Sequence, residues 1–201
     1  MEYVYHTVDV FTQSAYSGAQ ISVFPQADGL DDSQMQLIAK EMNHPETVFV
    51  FPGSSDVAAE LRVFSPAGEC AVGSHSVVAA ARTLVHSKAL PVSDRDCVVH
   101  FSQGKKIIDA VLSYVDGRLL TQLSMSVSPQ IDRYVPDNKE LQQVLGLGPD
   151  DIETLKAKTL FVSCDTPYLI VPLRSMDAVY RARFSLEAWS RSSASSVAVN
   201  E

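Results

Sequence analysis

The sequence predicts a mixed α+β fold with several short strands and one buried helix. Segments rich in β-branched and aromatic residues, which favour strands, recur along the chain and are interrupted by a few helical segments. One helical segment, residues 73–86, is apolar on nearly every side. A helix of this kind belongs in the middle of a protein rather than on its surface, so we expect it to be buried.

The composition is that of a globular protein and argues against several classes of partner. The chain has 201 residues, of which 46% are hydrophobic and 20% charged, and its formal net charge is −8. An acidic chain without a basic run is unsuited to a nucleic-acid backbone. No apolar run is long enough to predict a membrane span, and the N-terminus lacks the basic and apolar regions of a secretory signal. We therefore expect a cytoplasmic protein.

The cysteine content agrees with a reducing compartment. The chain has three cysteines, Cys70, Cys97 and Cys164, and an odd, sparse set favours reduced thiols over a disulfide framework.

The first 128 residues have the more regular pattern. Strands are predicted at residues 3–11, 21–24, 47–51, 60–64 and 97–101. Between the second and third of these, apolar residues at spacings of three and four predict a helix over residues 31–43, with Asp31 or Asp32 as its cap. The dipeptide Asp116-Gly117 suits a type I′ turn and predicts a hairpin of residues 106–115 and 118–127.

A second region is predicted over residues 129–201, after a change of character near Ser128 and a linker at 134–137. Its predicted elements are helices at 138–147, 150–157 and 186–191, and strands at 159–163, 168–173 and 196–200. The order strand, helix, strand repeats the start of the first region, but the chain ends before a second glycine-led helix. We therefore expect residues 1–128 to form a complete lobe and residues 129–201 an incomplete one, as in a truncated chain.

The start of the buried helix is the first candidate site. Gly73, Ser74, His75 and Ser76 are small or polar, unlike the residues that follow. The first amides of a helix lack internal partners and carry the positive end of its dipole, so this turn suits a carboxylate ligand. The alternative is a plain core helix with Ser74 or Ser76 as its cap.

Glu46 is the second candidate. It follows the end of one predicted helix and begins an apolar strand, where a desolvated carboxylate would suit proton transfer. The alternatives are a solvated loop charge or a bond to a backbone amide.

Three segments, in this order and spacing, resemble the PhzF-like (phenazine biosynthesis-like) family, which has the diaminopimelate-epimerase fold. They are residues 6–12 with 18–23, residues 35–50, and residues 61–76. The likeness covers residues 3–86, weakens towards 128, and beyond that rests on residues 166–172. It implies two lobes, each a β-barrel-like sheet around a central helix, with the active site between them at the N-termini of both helices.

The resemblance also implies roles for individual residues. Glu46 matches the glutamate that moves a proton in the PhzF-type isomerase, and His75 matches the histidine of the family's Gly-His pair. The predicted substrate-binding residues are Gly73, Ser74, His75 and Ser76. Two departures bear on binding, because Ser74 replaces a family glycine and Ala19 replaces the usual asparagine of a Gly-Asn-Pro-like turn.

Other chemistries lack the residues they need. Gly73 stands where epimerase relatives have their first cysteine, which argues against a two-cysteine racemase. Cys70 and His75 have no further ligands at zinc spacing. No phosphate loop or dinucleotide fingerprint occurs, so neither a metal nor a cofactor is expected.

We therefore expect an isomerase that acts on a small carboxylic acid by glutamate-mediated proton transfer. A second hypothesis is a catalytically degenerate paralogue or fragment that only binds its ligand. A third is an assembly module that completes its open sheet by pairing with another chain, for example as a homodimer.

Overall fold

The structure is a computed structural model and describes residues 2–92, 96–123, 128–132, 135–163, 167–193 and 195. The chain divides into two compact units, Met1–Met125 and Ser126–Glu201. This division falls close to the one expected after residue 128. That the units correspond to a complete and a partial epimerase-like lobe stays a prediction.

The first unit is built mainly from strands. The strands are β1 (His6–Val10), β2 (Ala19–Phe24), β3 (Glu46–Pro52), β4 (Ala59–Phe64), β5 (Glu69–Cys70), β6 (Cys97–Gln103), β7 (Lys106–Val115) and β8 (Arg118–Leu123). The helices are α1 (Asp32–Met42) and α2 (Ser74–His86). The strands form one sheet in the order β1-β2-β3-β4-β6-β7-β8, with β5 paired to β4. The predicted mixed α+β fold is confirmed.

Helix α2 lies at the centre of this unit. It contacts β1, β2, β3 and β8, which include both edge strands of the sheet, so the sheet curls around the helix. The helix residues that are fully or almost fully buried are Ser76, Val77, Ala79, Ala80, Ala81, Thr83 and Leu84. The three consecutive alanines let the sheet approach the helix closely. The prediction of a central helix surrounded by strands is correct.

Helix α1 packs on the other side of the sheet and ends just before Glu46. Asp31 caps it, since the Asp31 side chain accepts from the Gln34 N–H and the Gln34 side chain accepts from the Asp31 N–H, which forms a capping box. Asn43 ends the helix in the left-handed conformation, with φ of 52°. The chain then turns so that Glu46 becomes the first residue of β3.

The β7–β8 hairpin has the predicted turn. Val115 pairs with Arg118, and both residues between them have positive φ, 49° for Asp116 and 72° for Gly117. These values are those of a type I′ turn. The end of the predicted second strand, residues 124–127, lies outside the described residues.

The described part of the second unit has a smaller sheet and three short helices. Its strands are β9 (Gln130–Asp132), β10 (Leu160–Ser163) and β11 (Pro167–Ile170), and its helices are α3 (Asn138–Leu145), α4 (Met176–Arg181) and α5 (Leu186–Arg191). The antiparallel sheet has the order β11-β10-β9. Neither α4 nor β9 was expected, and the predicted strand at 196–200 lies outside the described residues. No helix in the described part of the chain is long and apolar enough to cross a membrane.

The helix predicted at residues 150–157 is wrong. Ile152 instead forms an isolated bridge with Leu173. The Glu153 carboxylate accepts the backbone N–H groups of residues 154, 155 and 156 at 2.8, 2.7 and 3.2 Å. A side chain that bonds its own backbone in this way offers an alternative to helical hydrogen bonds.

Several carboxyl groups of the second unit are stabilised in their ionised form. The Arg181 guanidinium holds the pKa of Asp151 below its usual value. Backbone N–H groups lower the pKa of Glu153, and hydrogen bonds from Ser193 lower the pKa of Glu140. A carboxyl with a lower pKa in the folded state stabilises the fold above its unfolded pKa and loses that contribution as the pH falls through its folded pKa.

We therefore expect the second unit to lose stability as the pH falls below about 4.5, the ordinary glutamate value. Trp189 is the single tryptophan of the chain and lies in this unit, so its fluorescence can follow urea unfolding between pH 7 and pH 3. Asp151→Asn should flatten the pH dependence of the midpoint. A midpoint that stays constant down to pH 3 would contradict the expectation.

Candidate active site

The first turn of α2 is open at its N-terminus. Gly73 is the N-cap, with extended backbone (φ −114°, ψ −174°), and no described side chain caps the helix. The alternative in which Ser74 or Ser76 caps the helix is therefore wrong. Val77 N–H donates to Gly73 O at 3.2 Å, and the amides of residues 74–76 precede this bond at the positive end of the helix dipole.

Glu46 meets this turn through Ser76. Ser76 Oγ donates a hydrogen bond to Glu46 Oε2 at 2.5 Å, the short distance expected of a hydroxyl bonded to a carboxylate. Ser76 is fully buried and Glu46 is half-buried. The second carboxylate oxygen, Oε1, has no hydrogen-bond partner among the described residues. One oxygen is thus fixed while the other is available to a ligand.

The backbone of Glu46 is held by the neighbouring strand β2. β2 and β3 are parallel, with Ile21 paired to Glu46. Ser22 is fully buried, and a hydrogen bond of 2.8 Å joins its Oγ to His44 Nδ1, which anchors the turn between α1 and β3. Neither Ser22 nor His44 is among the predicted site residues, because their contact depends on the pairing of β2 with β3.

His75 contacts Phe11, an aromatic residue that is not among the predicted site residues. The Phe11 ring meets the His75 ring edge-on, with centroids 4.9 Å apart. Phe11 is 63% exposed and has a φ of 57°, a costly conformation for a bulky side chain that is often found at functional sites. The His75 ring nitrogens have no hydrogen-bond partner in the described part of the chain, so they can serve a ligand.

The loop after Phe11 is folded by local contacts. Asp9 Oδ2 accepts the Tyr16 N–H at 2.7 Å, and Thr12 Oγ1 lies 2.6 Å from Ser17 Oγ. At Gly18 a Cβ atom would lie only 2.4 Å from the carbonyl oxygen of Val10, so glycine is required by close backbone approach.

The predicted site residues are thus partly brought together. Gly73, Ser74 and His75 are half-buried in one helical turn, and Ser76 bonds Glu46. A Cβ added at Gly73 would meet nothing within 4 Å, so there is open space beside the helix start. Ala19 is the first residue of β2 and pairs with Val10.

Possible metal ligands and cysteines are sparse in the described residues. No group of three or more His, Cys, Asp or Glu side chains there could hold a metal ion. Cys70 and Cys97 are free thiols, and Cys70 lies 3.4 Å from the carbonyl oxygen of Gly68. The third cysteine, Cys164, lies outside the described residues.

The arrangement places a carboxylate and an imidazole at the start of one helix. The Glu46 carboxylate, whose Oε1 has no hydrogen-bond partner in the described part of the chain, lies beside the positive end of a helix. The His75 imidazole, which likewise has no hydrogen-bond partner there, occupies the first turn of the same helix. Such a site can bind a carboxylic acid and exchange a proton with it.

The fold is found in solved structures of PhzF proteins. The crystal structure of a Bacillus anthracis phenazine biosynthesis protein of the PhzF family superposes with a TM-score of 0.84 and 22% identity, covering 96% of this chain and 63% of that one. The chain therefore has the curled-sheet α+β fold of that class of protein.

Sequence comparison defines the family. The profile described as phenazine biosynthesis-like protein matches residues 8–201, so the chain belongs to that family, as the resemblance predicted. An uncharacterized isomerase of Pasteurella multocida is 32% identical over 183 residues, covering 88% of this chain and 57% of that protein. A trans-2,3-dihydro-3-hydroxyanthranilate isomerase of Pseudomonas chlororaphis is 36% identical over 80 residues, covering 40% and 29%. The chain spans little more than half the length of the Pasteurella relative.

Proposed function

We propose that this chain carries part of an isomerase site in which Glu46 moves a proton between two carbons of a small carboxylic acid. The observation that supports this most directly is the Ser76–Glu46 hydrogen bond, which lies at the open start of α2. Membership of an isomerase family agrees with the proposal but does not identify the proton carrier.

The chemistry needs only groups of the chain and the substrate. Glu46 Oε1 takes a proton from a carbon, and the electron pair left behind spreads into the neighbouring unsaturated system. Glu46 then delivers a proton to a second carbon, either the one it took or one exchanged with solvent while it stayed on the carboxyl group, so Glu46 ends in its original state. The amides of residues 74–76 and the His75 ring hold the substrate carboxylate meanwhile.

Solvent-deuterium incorporation tests this proposal. The Pseudomonas relative is named for trans-2,3-dihydro-3-hydroxyanthranilate, a carboxylic acid, which makes that compound the first substrate to try. We expect its incubation with the chain in D₂O to give an isomer one mass unit heavier, because the proton on Glu46 exchanges with solvent before it returns. A panel of other small carboxylic acids is tested in the same way, and recovery of every compound unchanged would contradict catalysis.

A second candidate is a binding protein that retains the fold without turnover. Ser74 and Ala19, which depart from the family pattern, favour it. Calorimetry with the same panel separates the two, since heat of binding without deuterium incorporation would support the second candidate. A cytoplasmic location and a homodimer also stay predictions.

A further inference from the structure

We infer that Ser76 is a positioning residue, which holds the Glu46 carboxylate in one orientation and keeps Oε1 as the atom that exchanges the proton. The inference rests on the proposed function of Glu46. It gives the Ser76 hydroxyl a part in the site separate from the substrate contact of the Ser76 backbone amide.

The first support is that the Ser76 hydroxyl is not used by the helix. A serine in the first turn often caps free backbone N–H groups, but Gly73 is the N-cap of α2 and no described side chain caps it. Ser76 is the third residue after the cap, is fully buried, and directs its hydroxyl to Glu46 Oε2 at 2.5 Å. The hydrogen bond to Glu46 is therefore what this hydroxyl does.

The second support is the rigidity of the donor. Ser76 is followed along α2 by buried Val77 and Ala79–Ala81, which lie in the core enclosed by the sheet. A hydroxyl on so closely packed a helix has little freedom to move. Water cannot easily replace the Ser76 hydroxyl in its hydrogen bond to the Glu46 carboxylate, because the hydroxyl is shielded from solvent.

The third support is that the backbone of Glu46 is also held in place. The His44–Ser22 hydrogen bond fixes the turn before β3, and the pairing of Ile21 with Glu46 fixes the strand. The backbone of Glu46 is thus anchored on one side and its carboxylate on the other. A proton acceptor held at both ends presents one oxygen in one direction, which is what proton transfer to carbon requires.

The test compares Ser76→Ala with Ser76→Thr in the deuterium-incorporation assay. Loss of a hydrogen bond to a charged group corresponds to roughly tenfold or more, so we expect Ser76→Ala to lower kcat by about that factor with KM unchanged. Ser76→Thr keeps the hydroxyl but adds a methyl group to a fully buried position, so its activity should lie between that of Ser76→Ala and that of the parent chain. A rise in KM at constant kcat would make Ser76 a substrate contact and overturn the inference, and so would an unchanged kcat.

Thr83→Val is the matched control. Thr83 lies on the same helix, is almost fully buried, and its hydroxyl has no hydrogen-bond partner among the described residues. Removing that hydroxyl should leave kcat as in the parent chain. An equal loss in both variants would mean that Ser76→Ala acts through the packing of α2, which would also overturn the inference.

A measurement without turnover separates this inference from the proposed function. Three-bond NMR couplings of the Glu46 side chain should report one rotamer in the parent chain and averaging in Ser76→Ala. If Glu46→Gln keeps full turnover, the proposed function fails, whatever the couplings show. If the couplings are the same with and without the Ser76 hydroxyl, the positioning role fails even where Glu46 is essential.

Discussion

Glu46→Gln is expected to lower the rate of deuterium incorporation by about 10²–10⁴-fold while the protein stays folded. The amide has the size of the carboxylate, and its oxygen can still accept the hydrogen bond from Ser76 Oγ. It cannot take a proton from carbon at neutral pH. The measurement is the incorporation rate, with the thermal unfolding midpoint recorded for the same samples.

Glu41→Gln is the control for this substitution. Glu41→Gln makes the same chemical change at an exposed residue of α1, five positions before Glu46 in the sequence. We expect its turnover to equal that of the parent chain. Glu46→Asp adds a test of geometry, since it keeps the acid but withdraws it by one methylene from Ser76. If Glu46→Gln turns over at the parent rate, another group carries the proton and the assignment of Glu46 fails.

The elements that the sequence predicts best are those whose signals are local. The apolar pattern of residues 73–86 was enough to place α2 in the core, and Asp116-Gly117 was enough to define the hairpin turn. The cap of α1 was predicted to be Asp31 or Asp32, and it is Asp31. Each of these depends on a few neighbouring residues, so no knowledge of the fold was needed.

Contacts between residues far apart in the chain could not be predicted from the sequence pattern. The Ser76–Glu46 bond joins residues 30 positions apart, and it requires both the strand position of Glu46 and the rotation of α2. The edge-on contact of Phe11 with His75 depends likewise on a left-handed residue at the end of β1. The helix wrongly predicted at residues 150–157 also reflects a contact between distant residues. Ile152 forms a bridge with Leu173, which lies 21 positions away and was expected to end a separate strand.

The core between α1 and the sheet is where a single substitution should cost most stability. Phe49 is fully buried on β3, three residues after Glu46, and its ring lies 5.1 Å from that of Phe24 and 5.7 Å from that of Phe64. Phe49→Ala removes the middle ring and leaves a cavity, which typically costs about 3–5 kcal/mol of unfolding free energy. That is a large fraction of the stability of an ordinary domain, about 5–15 kcal/mol.

Hydrogen exchange of the β3 amides, with and without Phe49→Ala, measures this loss where it arises. Leu37→Ala is the control, since Leu37 is 65% exposed on α1 and its truncation should change stability by no more than about 0.5 kcal/mol. Trp189 fluorescence follows the second unit in the same samples. A loss below about 1 kcal/mol for Phe49→Ala would mean that the aromatic stack does not hold α1 against the sheet. The turn that delivers Glu46 to β3 would then depend on the His44–Ser22 bond instead, which His44→Ala would expose.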